Sequence, residues 1–411
     1  MKRPKEKLKH RWFVVLGGVL IIMCLGVAYA WGVFLMPIAE EFGWGRGETS
    51  LAVSILLLVF SIFMVVGGIL EKRYGPRLTA SAGGIFVCLG WVLAYFTKSL
   101  WWLYLSYGVL AGIGTGLGYL PAISTGVKWF PDKRGLVTGI VIFGFGFGAA
   151  FLAPLAARFI QIYGWRMTML IYGAGFGIII IGAAQFLKDP PQDWKPPGWA
   201  AQKRDELKVS SNDFSPGQML KTTTFKLMFI LYFIAMVAGM MAIGHINAFA
   251  NDAGYTPIQA AFTITVLAIA NGLGRIVFGA LSDKIGRTNT LGILFILMAL
   301  GMILLPYMTI LFALYTAAGI VGFCFGGFLA VYPAATGDFF GTKDFGTNYG
   351  LVFIGYGAGC FAGPWLGGVV YDATGSYTAA FIAAGILALC GGGIAALFLK
   401  APNYNKDKKG A

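Results

Sequence analysis

Arg275 stands inside an apolar run, Asn271-Gly272-Leu273-Gly274-Arg275-Ile276-Val277-Phe278. An arginine at membrane depth costs from about 2.5 kcal/mol on insertion scales to far more in simulations, so a chain keeps one only where it has work. Its planar fork grips a carboxylate through two parallel hydrogen bonds. The competing use is a structural arginine that snorkels toward loop acids. Asn271 lies four residues earlier, on the same helix face. It can donate to a carboxylate or a substrate hydroxyl, or bond to another helix. Of the two histidines, His10 lies in a basic tail and His245 in an apolar run. His245 titrates near neutral pH when unperturbed, which makes it a candidate proton site; a neutral ring bonded to a neighbouring helix is the alternative. Tyr29, Tyr119, Phe145, Phe325, Tyr332, Phe353 and Tyr356 fall near the middle of apolar runs. A group of this kind offers an apolar wall with a few hydroxyls, which suits a small amphipathic anion, although any one ring can serve packing alone.

Other chemistries lack their parts. No Asp or Glu lies well inside an apolar run, so no nucleophile–base pair or metal-ligand set forms at membrane depth, and an enzyme is not expected. No Gly-x4-Gly-Lys-Ser/Thr loop is present, which argues against an ATP-driven pump. Gly144-x-Gly146-x-Gly148 falls inside an apolar run with no strand before it, so it reads as a helix-packing face and not a dinucleotide loop. No cofactor or metal is expected.

These residues need elements to hold them. The 411-residue chain is 58% hydrophobic and 12% charged, against roughly 25% charged in soluble domains, and it carries 60 glycines. Apolar runs bounded by charge, Pro or Gly predict membrane spans at 12–38, 48–71, 77–97, 100–127, 134–161, 165–187, 223–251, 256–282, 288–307, 309–336, 346–372 and 377–400. The expected fold is an all-α integral membrane protein with twelve transmembrane helices in two pseudo-symmetric six-helix halves. The halves are 1–187 with its tail and 223–411 with its tail. The Pro-rich, charged segment 188–222 joins them. The run at 12–38 exceeds a signal-peptide core of roughly 7–15 residues, so it reads as the first span despite the cleavage-like Ala28-Tyr29-Ala30. Cys24, Cys88, Cys324, Cys360 and Cys390 lie in apolar runs without metal-ligand spacing and read as small buried hydrophobes.

Charge placement orients the chain. All Lys and Arg except Arg46, Lys98, Arg158, Arg166 and Arg275 fall in the tails and every second loop. By the positive-inside rule both termini and the 188–222 loop are cytoplasmic, in the plasma membrane and most simply a bacterial inner membrane. The net charge of +14 is then a topology signal and a match to anionic lipid, with no nucleic acid implied.

The two halves repeat. Gly68-Ile69-Leu70-Glu71-Lys72-Arg73-Tyr74-Gly75 and Gly279-Ala280-Leu281-Ser282-Asp283-Lys284-Ile285-Gly286-Arg287 share one sequence offset, and Gly144, Gly146 and Gly148 match Gly355, Gly357 and Gly359 at that same offset. Repeated halves are the build of secondary transporters, and they disfavour a receptor that binds without transporting. The loop with Asp283, Lys284 and Arg287, and its weaker copy with Glu71 and Arg73, resembles the signature loop of the major facilitator superfamily. Within that superfamily, Trp129-Phe130-Pro131-Asp132-Lys133-Arg134-Gly135-Leu136, Asn271-Gly272-Leu273-Gly274-Arg275 and Asn348-Tyr349-Gly350 resemble the oxalate/formate antiporter family and the proton-linked monocarboxylate transporters.

The resemblance implies alternating access around a central site and a small carboxylate substrate, with the loops as conformational elements. It places Tyr29, Tyr119 and Phe353 among the aromatics that line the site. Three positions depart from the relatives. Tyr356 stands where the oxalate/formate antiporter carries Lys. Val33 and Asn271 stand where mammalian monocarboxylate transporters carry Lys and Asp. The expected activity is secondary transport of a lactate- or pyruvate-like monocarboxylate with a proton, by a monomer in lipid, and the alternative is carboxylate exchange of the oxalate/formate type. Arg275, Asn271, Tyr119, Tyr29, Phe353, Tyr356 and Tyr332 are the expected substrate contacts, and His245 the expected proton site.

Overall fold

The computed structural model describes residues 4–130, 134–191, 213–308, 310–341 and 344–402. Residues 192–212 of the linker, 131–133 of the motif at Trp129–Leu136, and the ends of both tails lie outside the described residues.

A bilayer interior offers no water to backbone N–H and C=O groups, so a spanning segment must satisfy them within itself. Long apolar runs therefore become helices. Eleven helices among the described residues are long and apolar enough to cross a membrane. They are α1 (Arg11–Phe42), α2 (Arg46–Tyr74), α3 (Pro76–Ala94), α4 (Leu100–Trp129), a long run Arg134–Ala184, then α7 (Thr223–Asp252), α8 (Pro257–Ile285), α9 (Arg287–Tyr307), α10 (Leu311–Phe340), α11 (Phe345–Thr374) and α12 (Thr378–Phe398). The long run is two helices. Gly164 takes φ 78° and ψ 163°, a region open in practice only to glycine, and it turns the chain between α5 (134–163) and α6 (165–184). The spans expected at 134–161 and 165–187 therefore stand as two arms about one corner.

The turn glycines show how deep the repeat runs. Gly43, Gly75 and Gly164 have positive φ, and so do Gly254, Gly286 and Gly375 at the constant offset. The bounds of α2 and α8, Arg46–Tyr74 and Pro257–Ile285, repeat at that offset as well. The surface carries large apolar side chains, with Trp101 81%, Phe312 80% and Ile69 64% exposed. Water would not tolerate so many, whereas acyl chains do. Cys24, Cys324 and Cys360 are buried as expected; Cys88 is half-buried and Cys390 is exposed, a correction to the reading of all five as buried. Cys390 sits on α12 beside exposed Leu389 and Leu387, on a face that an apolar solvent covers.

The chain forms two compact units. One holds Met1–Trp44 and Glu48–Gln202; the other holds Gly45–Gly47 and Lys203–Ala411. In the first unit, α5 lies against α1 with no room for a side chain between them. A Cβ on Gly144 would stand 3.0 Å from the Val19 carbonyl, and one on Gly148 would strike that of Met23. In the second unit, α11 meets α7 in the same way, with Gly355 and Gly363 placing a Cβ 2.8 and 2.6 Å from the carbonyls of Phe229 and Val237. The glycine run read from the sequence as a packing face is one.

Two local features prepare the site. α1 is interrupted by a tight 3-10 turn at Gly26–Ala30, which carries Tyr29. Such a turn inside a helix often marks a hinge or strain. The end of the linker is fixed to the second unit: the Phe214 N–H donates to the Phe340 carbonyl at 3.0 Å, and the Asn348 side-chain amide donates to the Phe214 carbonyl at 3.0 Å. Ser215 and Thr222 then cap the short helix Pro216–Lys221 and α7 through their side-chain oxygens.

Candidate functional site

α8 presents Asn271 and Arg275 one turn apart. Arg275 Nε donates to Asn271 Oδ1 at 3.0 Å. That bond fixes both groups: it sets the plane of the guanidinium and turns the Asn271 Nδ2 end away. α8 cannot rotate freely here, because α10 abuts it at backbone distance. A Cβ on Gly326 would strike the Asn271 carbonyl, and one on Gly274 would strike that of Phe323. Asn271 is fully buried, and its Nδ2 has no hydrogen-bond partner among the described residues. The hydroxyl of Tyr332, fully buried on α10, shares that condition. A buried polar group left unmade costs about 1–3 kcal/mol, and a polar ligand that reached these two donors would offset that cost.

An aromatic cluster also forms within the second unit. Tyr332 stacks on Tyr232 of α7 at 3.8 Å between ring centroids, with an angle of 8°. Tyr232 in turn meets Tyr356 and Phe353 of α11 at 5.8 and 6.3 Å, and those two stack at 4.3 Å. The structure thus brings Tyr332, Phe353 and Tyr356 into one cluster and adds Tyr232, which sequence reasoning missed. Its signal was present, as a tyrosine well inside the span 223–251. In the first unit, Tyr29 meets Phe145 edge-on at 4.8 Å, Phe145 meets Tyr119 at 6.0 Å, and Tyr119 meets Phe60 at 5.1 Å. Helices α1, α2, α4 and α5 supply one ring each.

His245 stands apart from the Asn271–Arg275 pair. Its Nε2 lies 2.6 Å from the Pro364 carbonyl and its Nδ1 3.2 Å from the Tyr377 hydroxyl. A carbonyl only accepts, so Nε2 carries the hydrogen and Nδ1 is the titrating position. The ring occupies space left by Gly367, where a Cβ would stand 2.6 Å from its Cδ2.

The signature loops hold charge networks. In the second unit Arg287 pairs with Asp283 at 2.6 Å and with Asp338, at the end of α10, at 2.7 Å; Lys284 is exposed. In the first unit the buried Glu71 accepts from Ser124 at 2.6 Å and from Lys128 at 2.9 Å, and Lys128 also pairs with Asp189 at 2.8 Å. Arg73 lies over the Tyr74 ring at 5.2 Å. The partners Lys128, Asp189 and Asp338 were not singled out from the sequence, since nothing local marks which span ends converge.

Comparison with known proteins decides the family. A family model described as Major Facilitator Superfamily matches residues 16–255 and again 228–411, so both repeats match it. The chain belongs to the Major Facilitator Superfamily. Its relatives there include the oxalate:formate antiporter of Oxalobacter formigenes, 29% identical over 92% of this chain and 89% of that protein. Monocarboxylate transporter 13 of Bos taurus is 31% identical over 93% of this chain and 88% of that one. An uncharacterized MFS-type transporter, YhjX, of Escherichia coli (strain K12) is 29% identical over 87% of each. The fold is also that of a crystal structure of a bacterial homolog to the human lysosomal transporter Spinster, in an inward-facing and unoccupied conformation. The TM-score is 0.73 at 15% identity, covering 97% of this chain and 98% of that one. This superfamily member is thus a multi-pass membrane protein and a secondary transporter on the oxalate:formate antiporter and monocarboxylate transporter branch, not an enzyme.

Proposed function

We propose that the protein carries small monocarboxylates of the lactate or pyruvate kind together with a proton, by alternating access. The observation that carries this reading is the Asn271–Arg275 pair. The 3.0 Å bond to Asn271 orients the guanidinium, and the buried Asn271 Nδ2 and Tyr332 hydroxyl are hydrogen-bonding groups without partners among the described residues. A carboxylate meets the guanidinium, and a neighbouring hydroxyl or keto oxygen meets the amide. Phe353 and Tyr356 supply apolar wall. Tyr29 and Tyr119 are proposed as first-unit contacts during the cycle, on the strength of the resemblance alone. Of the Lys and Arg residues, Arg275 falls deepest inside a predicted span, the others lying within three residues of a span end or outside the spans, and Tyr356 is neutral where the antiporter family has its second cation. A second carboxylate would enter an apolar site unpaired, at a cost of several kcal/mol. Charge balance therefore favours one carboxylate over two.

His245 is proposed as the proton-coupling residue and the signature-loop residues Glu71, Arg73, Asp283, Lys284 and Arg287 as conformational elements. The proposed setting is a bacterial inner membrane, with both termini and the 188–222 loop cytoplasmic and the protein a monomer. The second reading, carboxylate exchange of the oxalate/formate type, draws on the 29% identity to that antiporter.

Proteoliposomes separate the two. Symport predicts labelled lactate uptake that rises with an inward proton gradient and loses its pH dependence in His245→Ala. Exchange predicts uptake that requires a preloaded anion and ignores the gradient. In competition at pH 7, lactate is expected to displace the label well and oxalate poorly; oxalate outcompeting lactate refutes the single-cation argument.

A further inference from the structure

The two units repeat at one offset, and that offset pairs Glu41 with Asp252 and Arg166 with Tyr377. In the first unit the acid and the arginine are welded together. Arg166 donates to Glu41 Oε1 from Nη2 at 2.7 Å and from Nε at 3.1 Å, and its Nη1 donates to the carbonyls of Tyr95 and Thr97 at 3.0 and 2.7 Å. In the second unit the acid remains and the built-in arginine is gone. Asp252 takes its guanidinium from Arg46, through two bonds of 2.6 and 2.8 Å. Asp372 accepts the backbone N–H groups of Arg46 and Gly47, both at 2.7 Å, and the Arg46 guanidinium lies 3.7 Å over the Tyr371 ring. Gly45 and Gly47 flank the arginine and allow this approach; a Cβ on Gly45 would stand 2.6 Å from Asp372 Oδ2. These three residues group with the second unit, while the chain on both sides of them groups with the first.

The replacement at position 377 adds a wire. The Tyr377 hydroxyl accepts from Arg46 Nη1 at 3.1 Å and lies 3.2 Å from His245 Nδ1. With the ring neutral, that hydroxyl donates to Nδ1. With the ring protonated, Nδ1–H must donate to the Tyr377 oxygen, and the tyrosine hydrogen must turn toward a carboxylate. The charged and titratable groups facing this point are Asp252 from α7, Tyr371 and Asp372 from α11, Tyr377 before α12 and Arg46 at the start of α2. An imidazolium cancels one of the two carboxylate charges that hold Arg46.

We infer that Arg46 is a latch on Asp252 and Asp372, and that protonation of His245, through Tyr377, releases it. The trigger rests on the reading of His245 as the proton site; the latch itself rests on the exchange of arginine donors between the repeats.

Hydrogen exchange in the full chain, reconstituted in nanodiscs without substrate, tests it on native atoms. The amides of Arg46 and Gly47 are the donors to Asp372, so their exchange, corrected for the intrinsic pH effect, reads the latch directly. Expected are slow exchange at pH 7.5, at least about tenfold faster at pH 5.5, fast exchange at both pH values in Arg46→Gln and Asp252→Asn, and slow exchange at both in His245→Gln. Combining Arg46→Asp with Asp252→Arg should restore protection that Arg46→Asp alone loses, which separates a latch from misfolding. Unchanged protection in both Arg46→Gln and Asp252→Asn overturns the latch, and a pH response that survives in His245→Gln overturns the trigger. Neither readout needs a substrate, so failure of monocarboxylate transport in liposomes leaves this test intact.

Discussion

The two six-helix units share a backbone and differ in what they put on it. At equivalent positions, Phe60 and Met64 of α2 stand where α8 has Asn271 and Arg275, and Phe34 of α1 stands where α7 has His245. Phe34 is fully buried and packs edge-on against Trp91 and Tyr172 at 5.6 and 6.3 Å; His245 is equally buried but bonded through both ring nitrogens. Meanwhile the packing glycines and the turn glycines hold in both units. Both units keep the glycines that let backbones touch, where a side chain collides, and those that let the chain turn, where positive φ strains any other residue. Positions that face other side chains differ, and at these three equivalent positions the polar residues, Asn271, Arg275 and His245, lie in the second unit.

That contrast can be broken in several places. The largest effect is expected at Arg275. Arg275→Ala should lower uptake by 100-fold or more, on the order of the roughly 1.5–3 kcal/mol of each charge-assisted bond it removes. Arg275→Lys should lose most activity too, since a point charge cannot reproduce the fork. Met64→Leu at the equivalent first-unit position should change uptake by no more than about twofold. Equal losses at 64 and 275 would end the claim that these equivalent positions differ in their part in transport. Next come the shared glycines. Gly148→Val and Gly359→Val should each lower the thermal midpoint in detergent, by overpacking worth about 1–3 kcal/mol or more. A loss in only one unit would show that the two packing faces are not equivalent.

Tyr356→Lys should then sharpen the comparison. Phe145 is its first-unit equivalent, so both units are neutral at this position. A lysine should shift the oxalate-to-lactate competition ratio toward the dianion by about tenfold, the worth of one partly screened charge pair of roughly 1.4 kcal/mol. The smallest effects are expected in the signature loops. Arg287→Ala breaks pairs to Asp283 and Asp338, whereas Lys284 is exposed. Arg287→Ala should slow transport measurably, and Lys284→Ala should stay within about 0.5 kcal/mol in stability. A stronger effect from Lys284 would reverse their assignment.

The sequence by itself determined the spans, the doubling and the family. Hydrophobic length, turn glycines and the Gly-x-Leu-x-Asp-Lys-x-Gly-Arg loop are local properties, and a bilayer leaves a long apolar segment almost no choice but a helix. It also placed Asn271 beside Arg275, because four residues on one helix must share a face. Only the tertiary structure decided the partners that lie far along the chain. Glu71 finds Lys128 and Ser124, Tyr232 stacks on Tyr332, and Arg46 reaches Asp252 in the role that Arg166 plays for Glu41. His245 and Tyr377 are 132 residues apart and meet because α7, α11 and α12 pack with glycine at the contact. A sequence sets which groups a helix carries and on which face. Which of them meet depends on how closely two backbones approach, and that is settled by the packing of all the helices in a unit together.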